Sequence, residues 1–330
     1  MRYLVTGAAG FIGSKVSQDL LKAGNEVFCL DSLSDYYSPE LKRMRFKALV
    51  GTELIENNLK DRGGVSRIIK KINPDSVIHL GAQAGVRLSL AENSRYVESN
   101  LIAFSNILTS TIEHNIPNFL YASSSSVYGD IAKIPYVESE KELNPNSFYG
   151  GTKLANEILV HSIIPNSRTK ARGLRFFTVY GPWGRPDMVY FRIIANCVAG
   201  KDLHINGDGK IERDFTYIDD ASKSVLLLAE ELFKREIGFN DVVNVGGGSP
   251  CSILQLINLS ESLSGIKVNY ENRPHDNGDV SKTMADPNYL KNLIDFVPET
   301  KIDFGIAETL NWSKLPGIQG KLGTWIDSVI

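Results

Sequence analysis

Residues 3–31 read YLVTGAAGFIGSKVSQDLLKAGNEVFCLD, and this stretch decides the fold. The apolar run at 3–6 predicts a strand, residues 11–22 predict a helix, and EVFCL at 26–30 predicts a second strand that leads into Asp31. A strand, a crossover helix and a second strand in this order form a βαβ unit with parallel strands. The N-terminal part of the chain is therefore predicted to build a parallel α/β sheet.

Three glycines lie between the first strand and the helix of this unit. Gly7, Gly10 and Gly13 in TGAAGFIG form the pattern GxxGxxG. They permit a tight turn and a close approach of the backbone to a pyrophosphate, while the helix N-terminus offers unpaired N–H donors. Asp31 can accept a hydrogen bond from a ribose hydroxyl and would repel a 2′-phosphate. The pattern therefore predicts binding of NAD rather than NADP.

The first half of the chain repeats this alternation of strands and helices. Further strands are predicted at 75–80, 118–122 and 170–177, and each follows a helix-like segment. Parallel strands joined by crossover helices are typical of a Rossmann-type, doubly wound sheet. We therefore predict an α/β fold of this type.

The regularity ends near residue 177. Glycine and proline crowd the segment 178–188, TVYGPWGRPDM, which predicts the start of a smaller, interleaved C-terminal α/β domain for the substrate. The expected division is an NAD-binding domain at 1–177 and a substrate domain at 178–330. Segments near 216–247 are expected to rejoin the first domain, so the two domains are not separated at one position of the sequence.

Composition excludes several functional classes. The 330 residues carry 36 Lys and Arg against 38 Asp and Glu, a formal charge of -2 that is too balanced for a nucleic-acid-binding or membrane-surface module. No apolar run approaches the roughly 20 residues of a membrane span, and no signal-peptide pattern is found. The three cysteines form no CxxC pair and the five histidines form no HExxH, so no metal site is predicted. His79 is interpreted as a satisfied strand residue, and the protein is expected to be cytoplasmic.

A serine-rich segment and a YxxxK motif predict the catalytic centre. The strand NFLYA leads into Ser124, Ser125 and Ser126, and the helical spacing of Tyr149 and Lys153 places both on one face. A tyrosine has an ordinary pKa of about 10, and a nearby ammonium group favours its phenolate. We therefore expect Tyr149 to act as the base, Lys153 to assist it and hold the nicotinamide ribose, and the serines to orient the substrate alcohol.

These motifs together resemble the extended short-chain dehydrogenase/reductase family, specifically its nucleotide-sugar epimerases and dehydratases. The matching segments are TGAAGFIG, HLGAQAGVR, SSSSVYG, YGGTK, RFFTVYGPWGRPDM and RDFTYIDD, with PHDNGDVSKTMAD near the C-terminal end. The resemblance implies a tightly held NAD, a UDP- or dTDP-sugar substrate, and a homodimer packed through a bundle of helices. DYYSPELKRMR and GPWGRPDMVYF look most similar to the members that act on a UDP-uronic acid.

The resemblance also implies which residues bind the cofactor. Asn58 stands in NNLKD where relatives usually place Asp, and its side-chain carbonyl can still accept a hydrogen bond from the adenine amino group. Asp276 and Asn277 in PHDNGDV replace a related segment near the diphosphate, which leaves the second phosphate-binding group open. The implied cofactor-binding set is Gly7, Gly10, Phe11, Ile12, Gly13, Asp31, Asn58, Leu59, Leu80, Tyr149 and Lys153.

The residues beside the catalytic serine distinguish the reactions of this family. Its 4,6-dehydratases resemble one another in an Asp-Glu pair at the positions of Ser125 and Ser126, and its UDP-glucuronate decarboxylases place Glu at Ser126. Two serines cannot supply a general acid and a base. Reversible oxidation and reduction at carbon 4, which is epimerisation, is therefore favoured. A net oxidoreductase and a non-catalytic sensor of nucleotide sugars are the alternatives from other classes, and the intact Tyr149 and Lys153 disfavour the sensor.

Thr178 and Arg185 suggest that the sugar carries a carboxylate. The resemblance places both residues beside carbon 6 of the sugar, and an arginine fork matches a carboxylate. The alternative for Arg185 is an ion pair with Asp187. The sequence predicts a UDP-uronate 4-epimerase that interconverts UDP-glucuronate and UDP-galacturonate. A 4-epimerase of UDP-glucose or UDP-N-acetylglucosamine and a UDP-glucuronate decarboxylase remain open.

Three further polar residues complete the expected substrate site. Arg213 resembles the family arginine that binds the UDP diphosphate, with a salt bridge to Asp214 or Asp219 as the alternative. Gln83 and Arg87 in GAQAGVR follow the fourth predicted strand, near the crevice where ligands of doubly wound sheets bind. Arg87 is alternatively a residue of the dimer interface or of a surface ion pair.

Overall fold

The structure, a computed structural model, describes residues 1–85, 92–274 and 280–329. The strands of this part of the chain are β1 (Arg2–Thr6), β2 (Glu26–Asp31), β3 (Leu54–Glu56), β4 (Ser76–His79), β5 (Asn118–Ser124), β6 (Lys170–Phe176), β7 (Thr178–Tyr180), β8 (Leu203–Asn206), β9 (Glu212–Tyr217), β10 (Asn240–Val245), β11 (Pro250–Ser252) and β12 (Tyr270–Arg273). Its helices are α1 (Phe11–Lys22), α2 (Pro39–Lys47), α3 (Arg62–Ile72), α4 (Asn93–Tyr96), α5 (Ala103–Glu113), α6 (Phe148–Ile163), α7 (Val189–Ala199), α8 (Ile218–Phe233), α9 (Ile253–Ser264), α10 (Asn288–Ile294), α11 (Ile302–Ser313) and α12 (Leu322–Asp327). The π-helical segment Val97–Ile102 joins α4 to α5, and short 3₁₀ turns cover Ser125–Val127, Ile164–Asn166 and Gln319–Lys321.

A seven-stranded parallel sheet forms the centre of the fold. Its strand order is β10-β6-β5-β4-β1-β2-β3, and every pairing in it is parallel. The chain moves outward from β1 to β3 and then returns to β4 on the other side of β1. The carboxyl ends of β1 and β4 therefore bound the crevice where ligands of such sheets bind.

The central strand separates two apolar cores because successive side chains of a strand point to opposite faces. Leu4 packs in the core that contains Val65 of α3 and Ile107 of α5. Val5 packs in the larger core with Val16 of α1 and with residues of α8. Helices thus cover both faces of the sheet, and the predicted Rossmann-type α/β fold is confirmed.

The chain after residue 177 forms two small sheets and also returns to the large one. One small sheet has the order β11-β9-β7 and the other pairs β12 with β8. The strand β10 lies beside β6 at the edge of the large sheet. The division into domains at residue 177 stays a prediction, while the return of β10 means that segments on both sides of that position share one sheet.

The edge strand β3 of the large sheet is absent from the sequence prediction. The strand β3 is only three residues long and pairs with β2 at the other edge of the sheet. A segment of this length is too short to show the alternation by which strands are predicted. In the part of the chain that the structure describes, no helix is long and apolar enough to span a lipid bilayer.

Candidate active site

The glycine loop after β1 accepts no larger residue at two of its positions. Gly7 has a φ of +69°, and a Cβ there would lie 2.7 Å from the backbone nitrogen of Gly81. A Cβ on Gly13 would lie 2.1 Å from the carbonyl oxygen of Gly7. Gly10 is the N-cap of α1 and makes no side-chain cap, so the first turn of the helix leaves N–H groups for a ligand.

Asp31 is held in place at the end of β2, beside this loop. One carboxylate oxygen accepts from the backbone N–H of Ala9 at 3.0 Å, and the other accepts from that of Leu33 at 2.8 Å. A carboxylate offers about four lone-pair positions, so Asp31 retains acceptors for a ribose hydroxyl. The glycine cradle and this oriented acid fit a dinucleotide with an unphosphorylated 2′-hydroxyl.

A single cleft of about 870 Å³ contains nearly all of the predicted site residues. It runs from the glycine loop, past the ends of β4 and β5, to the small sheets. Arg87, Asp276 and Asn277 lie outside the described residues. The predicted residues that line the cleft are Gly7, Gly10, Phe11, Ile12, Gly13, Asp31, Asn58, Leu59, Leu80, Gln83, Ser124, Ser125, Ser126, Tyr149, Lys153, Thr178, Arg185 and Arg213.

Lys153 is buried and lies one helical turn beyond Tyr149 along α6. Its Nζ donates to the carbonyl of Ala122 at 2.8 Å and lies 5.8 Å from the centre of the Tyr149 ring. Burial lowers the pKa of Lys153 to about 8, against the opposing charge of Glu157. Lys153 is therefore close enough to stabilise the Tyr149 phenolate while it is charged.

Opposing effects act on the Tyr149 hydroxyl. Burial raises the pKa of Tyr149, while the Arg185 guanidinium and a hydrogen bond with Ser124 favour the phenolate, and burial outweighs them. Tyr149 therefore needs a further positive charge nearby to act as a base at neutral pH. Ser124, Arg185 and Tyr149 all line the same cleft.

Residues 123–126 all line the cleft, but their side chains have different hydrogen-bond partners. Ser124 donates to the Ser126 hydroxyl at 3.1 Å and accepts from the Ser126 backbone N–H at 3.2 Å, which caps the 3₁₀ turn after β5. Ser123 instead donates to the buried carboxylate of Glu157. The Ser123 hydroxyl is therefore engaged by a carboxylate of the protein, while Ser124 bonds within the run.

Arg185 forms the ion pair with Asp187 that the sequence left open. The guanidinium donates from Nε to one carboxylate oxygen at 3.0 Å and from Nη2 to the other at 2.7 Å. This pair uses two of the five N–H groups of the arginine. Among the described residues, no other acceptor takes a hydrogen bond from Arg185. The edge formed by Nη1 and Nη2 therefore remains for a second carboxylate, and the pair with Asp187 is compatible with substrate binding.

The other predicted substrate residues lie along the same cleft. Thr178 is on β7 and half-buried. Gln83 lies in the loop after β4, and its Nε2 donates to the carbonyl of Ala84 at 2.8 Å. Arg213 on β9 donates to the carbonyls of Glu212 at 3.0 Å and Val280 at 2.8 Å. Their roles in substrate binding remain predictions.

The two acids proposed as alternative partners of Arg213 have other partners. Asp214 accepts from the backbone N–H groups of Gly248 and Ala285, each at 2.9 Å. Asp219 forms an ion pair with Lys15 at 3.1 Å. Asp214 thus ties β9 to the loops on either side of it.

His79 is the satisfied strand residue that the sequence predicts. It lies on β4, is buried, and its Nδ1 is 2.7 Å from the hydroxyl of Thr6. Burial, aided by the charge of Lys153, lowers the pKa of His79 to about 3. The ring is therefore neutral at physiological pH and stays part of the sheet.

Sequence reasoning missed several residues that line the cleft. They include Tyr36 and Tyr37 before α2, and His204 and Arg273 on the small two-stranded sheet. The aromatic pair in DYYS was visible in the sequence, but no spacing rule connects it with residues far along the chain. Only the folded arrangement brings it to the same cleft.

Comparison with known proteins identifies the family. The model of the NAD dependent epimerase/dehydratase family matches residues 3–246. This chain belongs to that family. It is 36% identical over 330 residues to a probable UDP-glucuronate 4-epimerase of Rhizobium meliloti (strain 1021), with 94% of this chain and 96% of that protein covered. It is 38% identical over 327 residues to UDP-glucuronate 4-epimerase 4 of Arabidopsis thaliana, with 94% of this chain and 74% of that protein covered.

Solved structures of this family have the same fold. The UDP-glucuronic acid 4-epimerase from Bacillus cereus, in complex with UDP-glucuronic acid and NAD, matches with a TM-score of 0.87 and 33% identity over 95% of this chain and 99% of that one. A UDP-glucose 4-epimerase from Thermotoga maritima, with UDP-glucose, matches with a TM-score of 0.85 and 30% identity over 94% and 98% of the two chains.

Proposed function

We propose that this family member is an NAD-dependent isomerase, a 4-epimerase that interconverts UDP-glucuronate and UDP-galacturonate. The observation that carries the proposal is the position of Arg185. Its guanidinium acts electrostatically on Tyr149, and one of its edges remains available for a carboxylate. A sugar whose 4-hydroxyl lies at Tyr149 would bring its carbon 6 substituent to the same part of the cleft. The similarity to UDP-glucuronate 4-epimerases supports this choice of sugar.

Three residues of this chain have separate roles in the proposed reaction. Tyr149 takes the proton of the 4-hydroxyl, and Lys153 stabilises the phenolate. Ser124, which hydrogen-bonds with Tyr149, holds the substrate alcohol in line. Bound NAD supplies the hydride acceptor at carbon 4 and later the hydride donor, and its positive charge further favours the phenolate. Return of hydride to the opposite face of the rotated 4-keto sugar, with the proton from Tyr149, inverts carbon 4 without net oxidation.

The carboxylate requires restraint during this reaction. The 4-keto sugar is a β-keto acid, which loses carbon dioxide when the bond to its carboxyl group aligns with the carbonyl π system. In the proposed mechanism, Arg185 and Thr178 hold the carboxylate away from that alignment. Ser126 offers no acid at the position where the family's decarboxylases place Glu. We therefore propose epimerisation as the outcome.

Proton NMR of the purified protein with UDP-glucuronate and no added cofactor tests this function. Formation of UDP-galacturonate to a stable mixture is the expected result, and it requires that NAD remain bound through purification. Formation of UDP-xylose or a 4-keto-pentose would instead support decarboxylation. Absence of any conversion would contradict the proposed substrate.

A 4-epimerase of a neutral UDP-hexose is the second candidate. It is favoured by the ion pair itself, because Asp187 already neutralises Arg185 and a neutral sugar would leave no unpaired charge in the cleft. The same NMR experiment with UDP-glucose distinguishes the candidates. Faster conversion of UDP-glucose than of UDP-glucuronate would favour this second function.

We also propose a homodimer built on two neighbouring helices. Apolar side chains are exposed on α6, where Phe148 is 45% and Ile158 61% exposed, and on the adjoining π-helical segment, where Ile102 is 48% exposed. Burial of such chains against a second copy removes apolar surface from water. Light scattering would show a dimer for the wild type and a monomer for Ile158→Asp. The cytoplasmic location expected from the sequence stays a prediction, consistent with three buried, free cysteines in the described residues.

A further inference from the structure

The loop that carries Arg185 has an unfavourable backbone conformation and is held by a residue of the other half of the chain. Trp183 has a φ of +64°, which a residue with a bulky side chain rarely adopts. The guanidinium of Arg45, on α2, donates to the carbonyl of Trp183 at 2.8 Å and to that of Gly184 at 2.7 Å. Arg45 is only 2% exposed, so water cannot replace these bonds. The two carbonyls are thereby fixed just before Arg185.

A second contact from the same segment reaches Asp187. The Tyr36 hydroxyl donates to the Asp187 carboxylate at 3.3 Å. Burial, together with the charge of Asp187, raises the pKa of Tyr36, so the hydroxyl remains a donor at neutral pH. Tyr37 adds a third contact, because its hydroxyl accepts from Arg45 at 2.7 Å. We call residues 36–45 the anchor segment.

The anchor segment controls which edge of Arg185 faces the cleft. Asp187 engages the edge formed by Nε and Nη2 of Arg185, so its position sets the rotation of the guanidinium plane. Tyr36 holds Asp187, and Arg45 holds the backbone that carries both residues. A planar fork binds a carboxylate in two bonds only when the two planes align. A small loss of orientation would therefore weaken binding of a carboxylate more than binding of a hydroxymethyl group.

We propose that Tyr36 and Arg45 are positioning residues that set the preference for a sugar carboxylate, acting through Asp187 and Arg185. The inference rests on the proposed function, since it concerns how that site recognises its substrate. It assigns part of the substrate choice to a segment between β2 and β3, within the NAD-binding half of the chain. The residues of the proton transfer, Tyr149 and Lys153, take no part in it.

The test compares the purified wild type with Tyr36→Phe, which keeps the ring and removes one hydroxyl. KM and kcat are measured for UDP-glucuronate and for UDP-glucose. We expect kcat/KM for UDP-glucuronate to fall about tenfold, mainly through KM, because a hydrogen bond to a charged group is lost. We expect the value for UDP-glucose to stay within about twofold, since the neutral sugar does not use the orientation of Arg185.

Two further variants separate positioning from general damage. Tyr289→Phe is the matched control, because the Tyr289 hydroxyl also donates to a carboxylate, that of Asp241, at 2.9 Å but outside the cleft. Its preference between the two substrates should equal that of the wild type. Arg45→Lys keeps the charge but cannot bridge two carbonyls with a planar fork, and it should reduce the preference for UDP-glucuronate at least as much as Tyr36→Phe.

The kinetic results for the wild type and for Tyr36→Phe test the positioning role and the proposed function separately. A wild type that converts only UDP-glucose would overturn the proposed function and this inference with it. A wild type that converts UDP-glucuronate, with a Tyr36→Phe variant that keeps its substrate preference, would overturn the inference alone. Equal losses with both substrates in Tyr36→Phe would also overturn it, because they would indicate a structural role.

Discussion

Replacement of Arg185 by Met provides a direct test of carboxylate recognition. Methionine keeps a flexible apolar stem in the cleft and removes the guanidinium. Arg185 has one edge on Asp187 and offers its other edge for two charge-assisted hydrogen bonds. Each such bond contributes about 1.5–3 kcal/mol, so their loss amounts to about 3–6 kcal/mol. This corresponds to a fall of roughly 10²- to 10⁴-fold in kcat/KM for UDP-glucuronate.

The same substitution leaves Asp187 without its charged partner, while the Tyr36 hydroxyl still donates to it. Burial acts to raise the pKa of Asp187, and at present the charge and hydrogen bonds of Arg185 outweigh it and hold that pKa below its ordinary value. Without Arg185, the pKa of Asp187 rises. The ionised carboxylate then repels the substrate carboxylate, while the protonated form does not. The activity of Arg185→Met toward UDP-glucuronate should therefore decline with increasing pH as Asp187 ionises, more steeply than that of the wild type.

The double variant Arg185→Met, Asp187→Asn removes that repulsion. It should recover about tenfold of the lost kcat/KM at the upper end of the pH range, a coupling of about 1.4 kcal/mol. It should also lose the additional pH dependence of the single variant. The assay is NMR or coupled chromatography of initial rates with UDP-glucuronate and UDP-glucose in parallel. Equal losses with both sugars, or a single variant without added pH dependence, would refute the assignment of Arg185 to the carboxylate.

Three further predictions follow from the buried groups around the cleft. Tyr149→Phe should abolish epimerisation while retaining NAD, as measured by NMR and by the nucleotide released on denaturation; measurable turnover would contradict its role as the base. Glu157→Gln should lower the free energy of unfolding by about 3–5 kcal/mol in urea titrations, because buried Arg175 donates to both Glu157 oxygens and would keep an uncompensated charge; an unchanged midpoint would contradict this. The folded-state pKa of His79, about 3, lies below its unfolded value, so the unfolded chain binds more protons and stability falls with decreasing pH below about 6.5. Between about pH 6.5 and pH 5.5, the wild type should lose about 1 kcal/mol more than His79→Gln, and parallel curves would refute the neutral assignment.

The sequence predicted the parts of the site that depend on local spacing. Gly7 and Gly13 lie where a larger side chain would clash, and Asp31 lies at the end of the adjacent strand. Tyr149 and Lys153 share a face of one helix, since four residues complete about one turn. These features were accessible because each arises within one element or one βαβ unit.

Other features could not be read from spacing. The sequence did not assign Tyr36 and Tyr37 to the cleft, because no spacing rule connects them with cleft residues far along the chain. The sequence also offered two alternative roles for Arg185, an ion pair with Asp187 or a contact with the substrate. The planar guanidinium has two usable edges, so the folded geometry allows both at once.

The Rossmann-type sheet could be predicted from the sequence, as could the glycine loop after β1 and the shared helix face of Tyr149 and Lys153. These follow from hydrophobic periodicity and from the few residue types that tight turns and proton transfer accept. The contacts that hold the Arg185 loop come only from the tertiary fold, because Tyr36 and Asp187 are 151 positions apart and Arg45 and Trp183 are 138 apart. Contacts at such separations depend on how whole elements pack, and no local pattern encodes them.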